Sequence, residues 1–185
     1  DLTTTGVPLE PAGTMTYHKL FEIYTEQITA LAEAGADLLV VETMLGIDEM
    51  TVALEAAQSV CALPVLCSMT VQADGSGYFG GTCVEAVETL QELGAPAVGI
   101  NCSTGPDQLE SLVRNMRQAA KVPLLVKPNA GMPEISPEGE AIYSMGPAAF
   151  AQHMRTLIDA GAALVGGCCG TDPRYISALR DVLPR

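Results

Sequence analysis

Six cysteines stand in this 185-residue chain, and three are placed where they could do chemistry. Cys168 and Cys169 are adjacent in "GGCCGT", with glycines at 166, 167 and 170. Cys102 lies in "GINCS", and each motif follows a short apolar run. Thiolates are soft ligands, and zinc takes them at about 2.3 Å in tetrahedral geometry. Three protein ligands leave a fourth position for water or substrate, the mark of a catalytic site. Neighbouring residues of a regular strand point to opposite faces. Cys168 and Cys169 therefore face one ion only where the strand breaks, and the glycines supply that freedom. Spacing alone leaves other readings open: buried packing thiols, a strained vicinal disulfide, or a redox pair. Cys61, Cys67 and Cys83 read as structural, at a helix end, within a strand and in a first helical turn.

The elements that must carry these thiols are legible in outline. Five near-continuous apolar runs read as parallel strands covered on both faces: 37–43, 64–70, 96–101, 123–128 and 163–168. Helical patterns lie between them. Leu20, Ile23, Tyr24, Ile28 and Leu31 form one stripe, and a second helix runs from Asp48 to Val60. Thr82 and Glu85 form a capping box that opens a helix to about Leu93. Asp107 opens the next, toward Ala120. Pro147–Ala160 follows, and Pro173 suits the first turn of the last helix, capped by Thr171 or Asp172. The segments "LAEAGADLLVVET", "LQELGAPAVGINC" and "LIDAGAALVGGCC" repeat one form, with Gly35, Gly94 and Gly161 at helix C-termini.

Strict alternation with such repeats predicts a parallel (β/α)8 TIM-type barrel, with an open doubly wound sheet as the alternative. A barrel needs eight strands and about 250 residues. The chain shows five strands and opens on the loop-like "DLTTTGVPLEPAGTMT". The expectation is one domain, residues 1–185, comprising the last five βα units, with the first three strands absent.

Composition narrows the function classes. Apolar residues make up 48% and charged residues 17%, a composition that buries a core. The net charge of −13 argues against nucleic acid and anionic membrane as partners, since both need clustered Lys and Arg. No apolar stretch approaches a spanning length, and no secretion signal is visible. A chain able to build a core does not need a disulfide framework, so reduced thiols in a cytoplasmic protein are expected.

Active groups of such a barrel sit at the C-terminal strand ends. Those ends carry Glu42-Thr43, Ser68, Thr70, Asn101-Cys102, Lys127, Asn129 and Cys168-Cys169. Glu42 reads equally as a ligand for a substrate amine or as an ion-pair partner. Lys127 reads as a carboxylate partner, structural or substrate-borne. His18 and His153 lie in amphipathic helices and read as surface or packing residues. "DGSGYFGG" (74–81) lacks the Lys-Ser/Thr of a P-loop and is not a dinucleotide fingerprint.

"GINCS" at 99–103 and "GGCCGT" at 166–171, supported by "KPNAG" (127–131) and "GADLLVVET" (35–43), resemble the homocysteine S-methyltransferase family. The resemblance covers essentially the whole chain. Within the family, "KPNAG" and the "GP" after "NCS" look closer to the homocysteine module of cobalamin-dependent methionine synthase, or its bacterial fusion with methylenetetrahydrofolate reductase, than to the betaine-dependent branch. The resemblance implies Zn(2+) held by Cys102, Cys168 and Cys169, and Glu42 as the contact for the homocysteine amino group. Asn101 is the second candidate substrate contact. A free alkyl thiol, with a pKa of about 8.5, is only a few per cent thiolate at neutral pH. Zinc makes the thiolate dominant, and that sulfur attacks an activated methyl group to give methionine. The donor is a corrinoid, folate, sulfonium or betaine, presented by another domain where it is a corrinoid or folate. The alternative is an incomplete barrel module whose thiols hold zinc structurally or act in redox chemistry.

Overall fold

A computed structural model describes residues 1–183. Five parallel strands form one sheet: β1 (Leu39–Met44), β2 (Val65–Met69), β3 (Ala97–Cys102), β4 (Leu124–Pro128) and β7 (Ala162–Val165). Between β4 and β7 lies an antiparallel hairpin of β5 (Pro133–Ile135) and β6 (Ala141–Tyr143). Neither strand of that hairpin stands out in the sequence, because each is only three residues long.

The sheet order is β1-β2-β3-β4-β7, with every strand beside its predecessor in the main sheet. A doubly wound sheet reverses its order at a switch point; this one never reverses. β1 and β7 stand at the two edges, so the described residues form an open five-stranded sheet and not a closed barrel. Leu2 lengthens the β1 side by a single parallel bridge, exchanging backbone hydrogen bonds with Val40 and Glu42. The loop-like opening thus touches the sheet at one residue.

The helices are α1 (Tyr17–Glu33), α2 (Ile47–Val60), α3 (Cys83–Glu92), α4 (Glu110–Ala119), α5 (Pro147–Ala160) and α6 (Pro173–Val182). Local sequence explains their starts. The Thr16 hydroxyl accepts from the Lys19 N–H, and Asp172 caps α6 through the Arg174 N–H. The Thr82–Glu85 capping box forms in full. Asp107 falls in a 3-10 turn, Pro106–Gln108, and α4 begins only at Glu110, a correction to the expected start. The Pro at the first position tightens the backbone into a short turn before the helix proper.

One face of the sheet packs on these helices. Val41, Cys67, Met69, Val98, Ile100 and Val126 are buried there against residues such as Leu54, Leu90 and Phe150. Each fully buried Leu or Phe contributes about 1.5–3 kcal/mol. On the opposite face, the alternate row, Val40, Glu42, Leu66 and Lys127 are half-buried, whereas Ser68, Ala97, Asn101 and Leu125 are buried. The expectation that both faces of every strand are covered therefore holds along β3 and fails in part on β1, β2 and β4. At the edge the departure is largest: Leu164 of β7 is exposed. No helix among the described residues is long and apolar enough to cross a membrane.

Buried Glu49 of α2 ties the N-terminal segment down. It accepts from the Thr4 hydroxyl at 2.5 Å, the Thr5 N–H at 2.7 Å and the Tyr24 hydroxyl at 2.9 Å.

Candidate thiol and metal site

Cys102 ends β3 in a left-handed conformation (φ +59°), followed by Ser103 (φ +62°). Such backbone in a non-glycine residue costs of order 1–3 kcal/mol and persists only where its surroundings hold it. Here the Ser103 N–H donates to Thr70 Oγ1 at 3.1 Å, and the Val71 N–H donates to Ser103 Oγ at 2.9 Å. The end of β2 thus turns the end of β3 and aims Cys102.

Cys168 and Cys169 lie in the loop after β7, which ends at Val165 and not at 168 as expected. The Gly-Gly pair stops regular pairing there. The Cys168 N–H donates to Pro128 O at 2.8 Å, and the Cys169 N–H to Asn129 Oδ1 at 3.1 Å. The Thr171 hydroxyl folds back onto Cys168 O at 2.7 Å. That fold-back explains Gly167: a Cβ there would lie 2.5 Å from Thr171 Oγ1.

The outcome is convergence. Cys102 and Cys169 Sγ are 3.9 Å apart, Cys168 and Cys169 Sγ 4.0 Å, and all three lie within 4.8 Å of one another. Tetrahedral zinc with Zn–S bonds of about 2.3 Å separates its sulfurs by about 3.8 Å. The thiols are therefore already near that spacing, and an all-sulfur donor set suits a soft divalent ion. All six cysteines are free, and Cys61, Cys67 and Cys83 stand outside the cluster.

Without a metal the three thiols share charge unequally. Cys168 is pulled down to about 5, chiefly by a hydrogen bond from Cys102, helped by the Cys169 N–H and the Asn101 amide. Cys102, as the donor and half-buried, is pushed well above the ordinary thiol range. Burial alone pushes Cys67 up to about 12, which marks it as inert packing.

The remaining predicted residues fall on the same end of the sheet in different roles. Glu42 is bonded to the Lys127 ammonium, so the ion-pair reading of both residues is realised in this structure. Asn101 is 1% exposed, bonded to Thr43, Ser68 and Cys168. His18 and His153 are exposed on their helices. Two residues at the site carry no signal in the sequence. Ser103 follows the motif cysteine but shows its purpose only through the turn it makes. Tyr143, on the hairpin, meets the site in space: burial and a hydrogen bond to Cys169 push its phenol upward.

The sequence profile of homocysteine S-methyltransferases matches residues 2–183. The chain belongs to the homocysteine S-methyltransferase family. It is 30% identical over 186 residues to a methionine synthase of Mycobacterium leprae and 31% identical over 177 residues to that of Mycobacterium tuberculosis. These alignments take in 97% and 92% of this chain but 15% of each relative. Among solved structures, the apo homocysteine methyltransferase MmuM of Escherichia coli aligns with a TM-score of 0.78 at 23% identity. That alignment covers 98% of this chain and 61% of that one. The metallated form of MmuM aligns at 0.74 and 24% identity, covering 91% and 52%. The family's fold is therefore shared across this chain, which spans less than two thirds of each solved structure and about 15% of each methionine synthase.

Proposed function

We propose that this chain forms the C-terminal five βα units of a homocysteine-binding (β/α)8 barrel and that its activity is zinc-dependent S-methylation of homocysteine to methionine. Of the proposed domain, 1–185, the last two residues lie outside the described ones. The unreversed strand order, the open edges at β1 and β7 and the partial coverage of MmuM support the barrel reading. The convergence of Cys102, Cys168 and Cys169 carries the functional one.

Cys102, Cys168 and Cys169 would hold Zn(2+). When bound, the ion supplies Lewis acidity that favours the thiolate of a coordinated substrate thiol. The chain's own residues do the rest. Thr70, Ser103 and Val71 hold Cys102 in its left-handed turn. Pro128, Asn129 and Thr171 hold the Cys168-Cys169 loop. Glu42 is the carboxylate that orients the homocysteine ammonium, in exchange for Lys127. The methyl donor is a corrinoid or folate presented by another domain, in keeping with the methionine synthase relatives. Reduced thiols fit a cytoplasmic enzyme, and the charge of −13 makes this chain a poor partner for nucleic acid or anionic membrane.

A second reading has its own observation. β7 is paired on one side only and exposes Leu164, so this chain by itself is an incomplete module that holds zinc structurally. Zinc content of the reduced protein and of Cys102→Ala tests the first point, and homocysteine methylation by the same samples separates the two readings. About one zinc per chain, lost together with methylation in the variant, is expected. Zinc without methylation selects the module reading. No zinc in the folded wild type rejects both.

A further inference from the structure

We infer that Asn101 is a positioning residue that sets the direction of Cys168 Sγ, and not a substrate contact; this rests on the metal reading above. The carboxamide is 1% exposed. Its oxygen accepts from the Thr43 N–H at 2.8 Å and from the Ser68 hydroxyl at 2.7 Å. Its nitrogen donates to Thr43 Oγ1 at 2.8 Å and to Cys168 Sγ at 3.8 Å.

A primary amide has two acceptor sites and two donor hydrogens. All four are engaged. The amide cannot be reversed without loss, because the Thr43 backbone N–H can only donate and so must face the oxygen. Its NH2 is therefore locked toward Cys168. A substrate ammonium or carboxylate would have to displace one of these bonds and leave a buried partner unsatisfied.

Cys168 needs such a hold. It lies outside regular structure, after Gly166 and Gly167, where the backbone does little to fix the side-chain direction. Its N–H is spent on Pro128 O, which places the backbone but not the sulfur. Its neighbours Cys102 and Cys169 are themselves thiols of the cluster, so the N–H···S bond from Asn101 is the hold that comes from outside it. Thr43 completes the device. It is held at φ +59° while its N–H and hydroxyl both meet the one carboxamide. Strained backbone persists where surrounding bonds over-determine it, and it concentrates at working sites. β1 and β2 thus position, through one amide on β3, a thiol carried by the loop after β7. Partners of metal ligands orient those ligands, and their loss commonly costs about 10–100-fold in affinity.

Asn101→Asp keeps both accepted bonds but turns an oxygen toward Thr43 Oγ1 and Cys168 Sγ. Thr43→Ala removes the hydroxyl that locks the NH2, and Thr43→Ser restores it. The measurements are the zinc dissociation constant by competition with a chromogenic chelator, the thiolate-to-cobalt and ligand-field bands of the Co(II)-loaded protein, and the homocysteine KM. We expect the dissociation constant to rise about 10–100-fold in Asn101→Asp and less in Thr43→Ala, with altered cobalt bands in both and wild-type values in Thr43→Ser. A purely structural role would lower stability without moving the cobalt bands. Unchanged metal binding and bands, with only KM raised, make Asn101 a substrate contact and overturn the inference while the metal reading survives. A wild type that binds neither ion overturns the metal reading and this inference with it. If Asn101→Asp fails to fold, the Thr43 pair carries the test alone.

Discussion

Glu42, near the end of β1, accepts a hydrogen bond from the Lys127 ammonium on β4, with the two side chains only 19% and 22% exposed. The pair lies on the sheet face opposite the helix-packed row of Val41, Cys67 and Val126. A proposed substrate contact is thus held by an internal cation. Removing Lys127 leaves a half-buried carboxylate without its partner. That costs about 1–3 kcal/mol, between the values for exposed and buried pairs. In Lys127→Met, homocysteine brings its own ammonium to Glu42. We therefore expect lower stability in urea, and a larger thermal shift on adding homocysteine than in the wild type. Glu42→Gln is expected to lose the homocysteine shift. An equal shift in all three proteins removes Glu42 from the substrate site.

The metal-free thiols give a pH signature. Cys168 is depressed to about 5 from an ordinary thiol value of 9.0. A depressed group contributes stability that is fully present above its unfolded pKa and lost as pH falls through the folded one. The window runs from about 9 down to about 5. Alkylation follows the thiolate. At pH 6.5 the metal-free, reduced chain is expected to label at Cys168 quickly, with the rate falling as pH drops through about 5. Cys67, pushed to about 12 by burial, labels only on unfolding. Site-resolved mass spectrometry decides it. Labelling of Cys168 that begins only near pH 9 contradicts the hydrogen-bonded triad.

Gly170 links the hairpin to the thiols. Its φ is +77°, and a Cβ there would lie 2.3 Å from Cγ of Tyr143. Gly170→Ala must strain the backbone and displace the ring, at a cost of about 1–3 kcal/mol. Tyr143 then leaves Cys169. A lower Tm together with faster modification of Cys169 is expected. Stability and labelling rate both equal to wild type would mean that the hairpin does not rest on the site.

Much of this was legible before folding. The five apolar runs announce the strands to within a few residues, because buried parallel strands are continuous in hydropathy. The Thr82–Glu85 box announces α3, because capping is local chemistry. The three cysteines declare themselves by their setting after apolar runs and among glycines. The hairpin of 133–135 and 141–143 was not legible: it is short and its hydrophobic residues, such as Ile135 and Ile142, remain exposed. Nor was the start of α4, where the backbone makes a 3-10 turn first.

The sequence by itself determined which side chains this protein has for chemistry and which strands they follow, since both come from residue type and local periodicity; that Cys168 and Cys169 stand in a loop beyond β7 came from the structure. Only the tertiary structure decided who meets whom. Cys102 reaches Cys169, Glu42 takes Lys127, and Asn101 turns its amide toward Cys168. These are contacts between residues far apart in the chain, and they exist only because parallel pairing sets neighbouring strands in one register. No local pattern encodes that register, so which of these side chains meet is decided by packing.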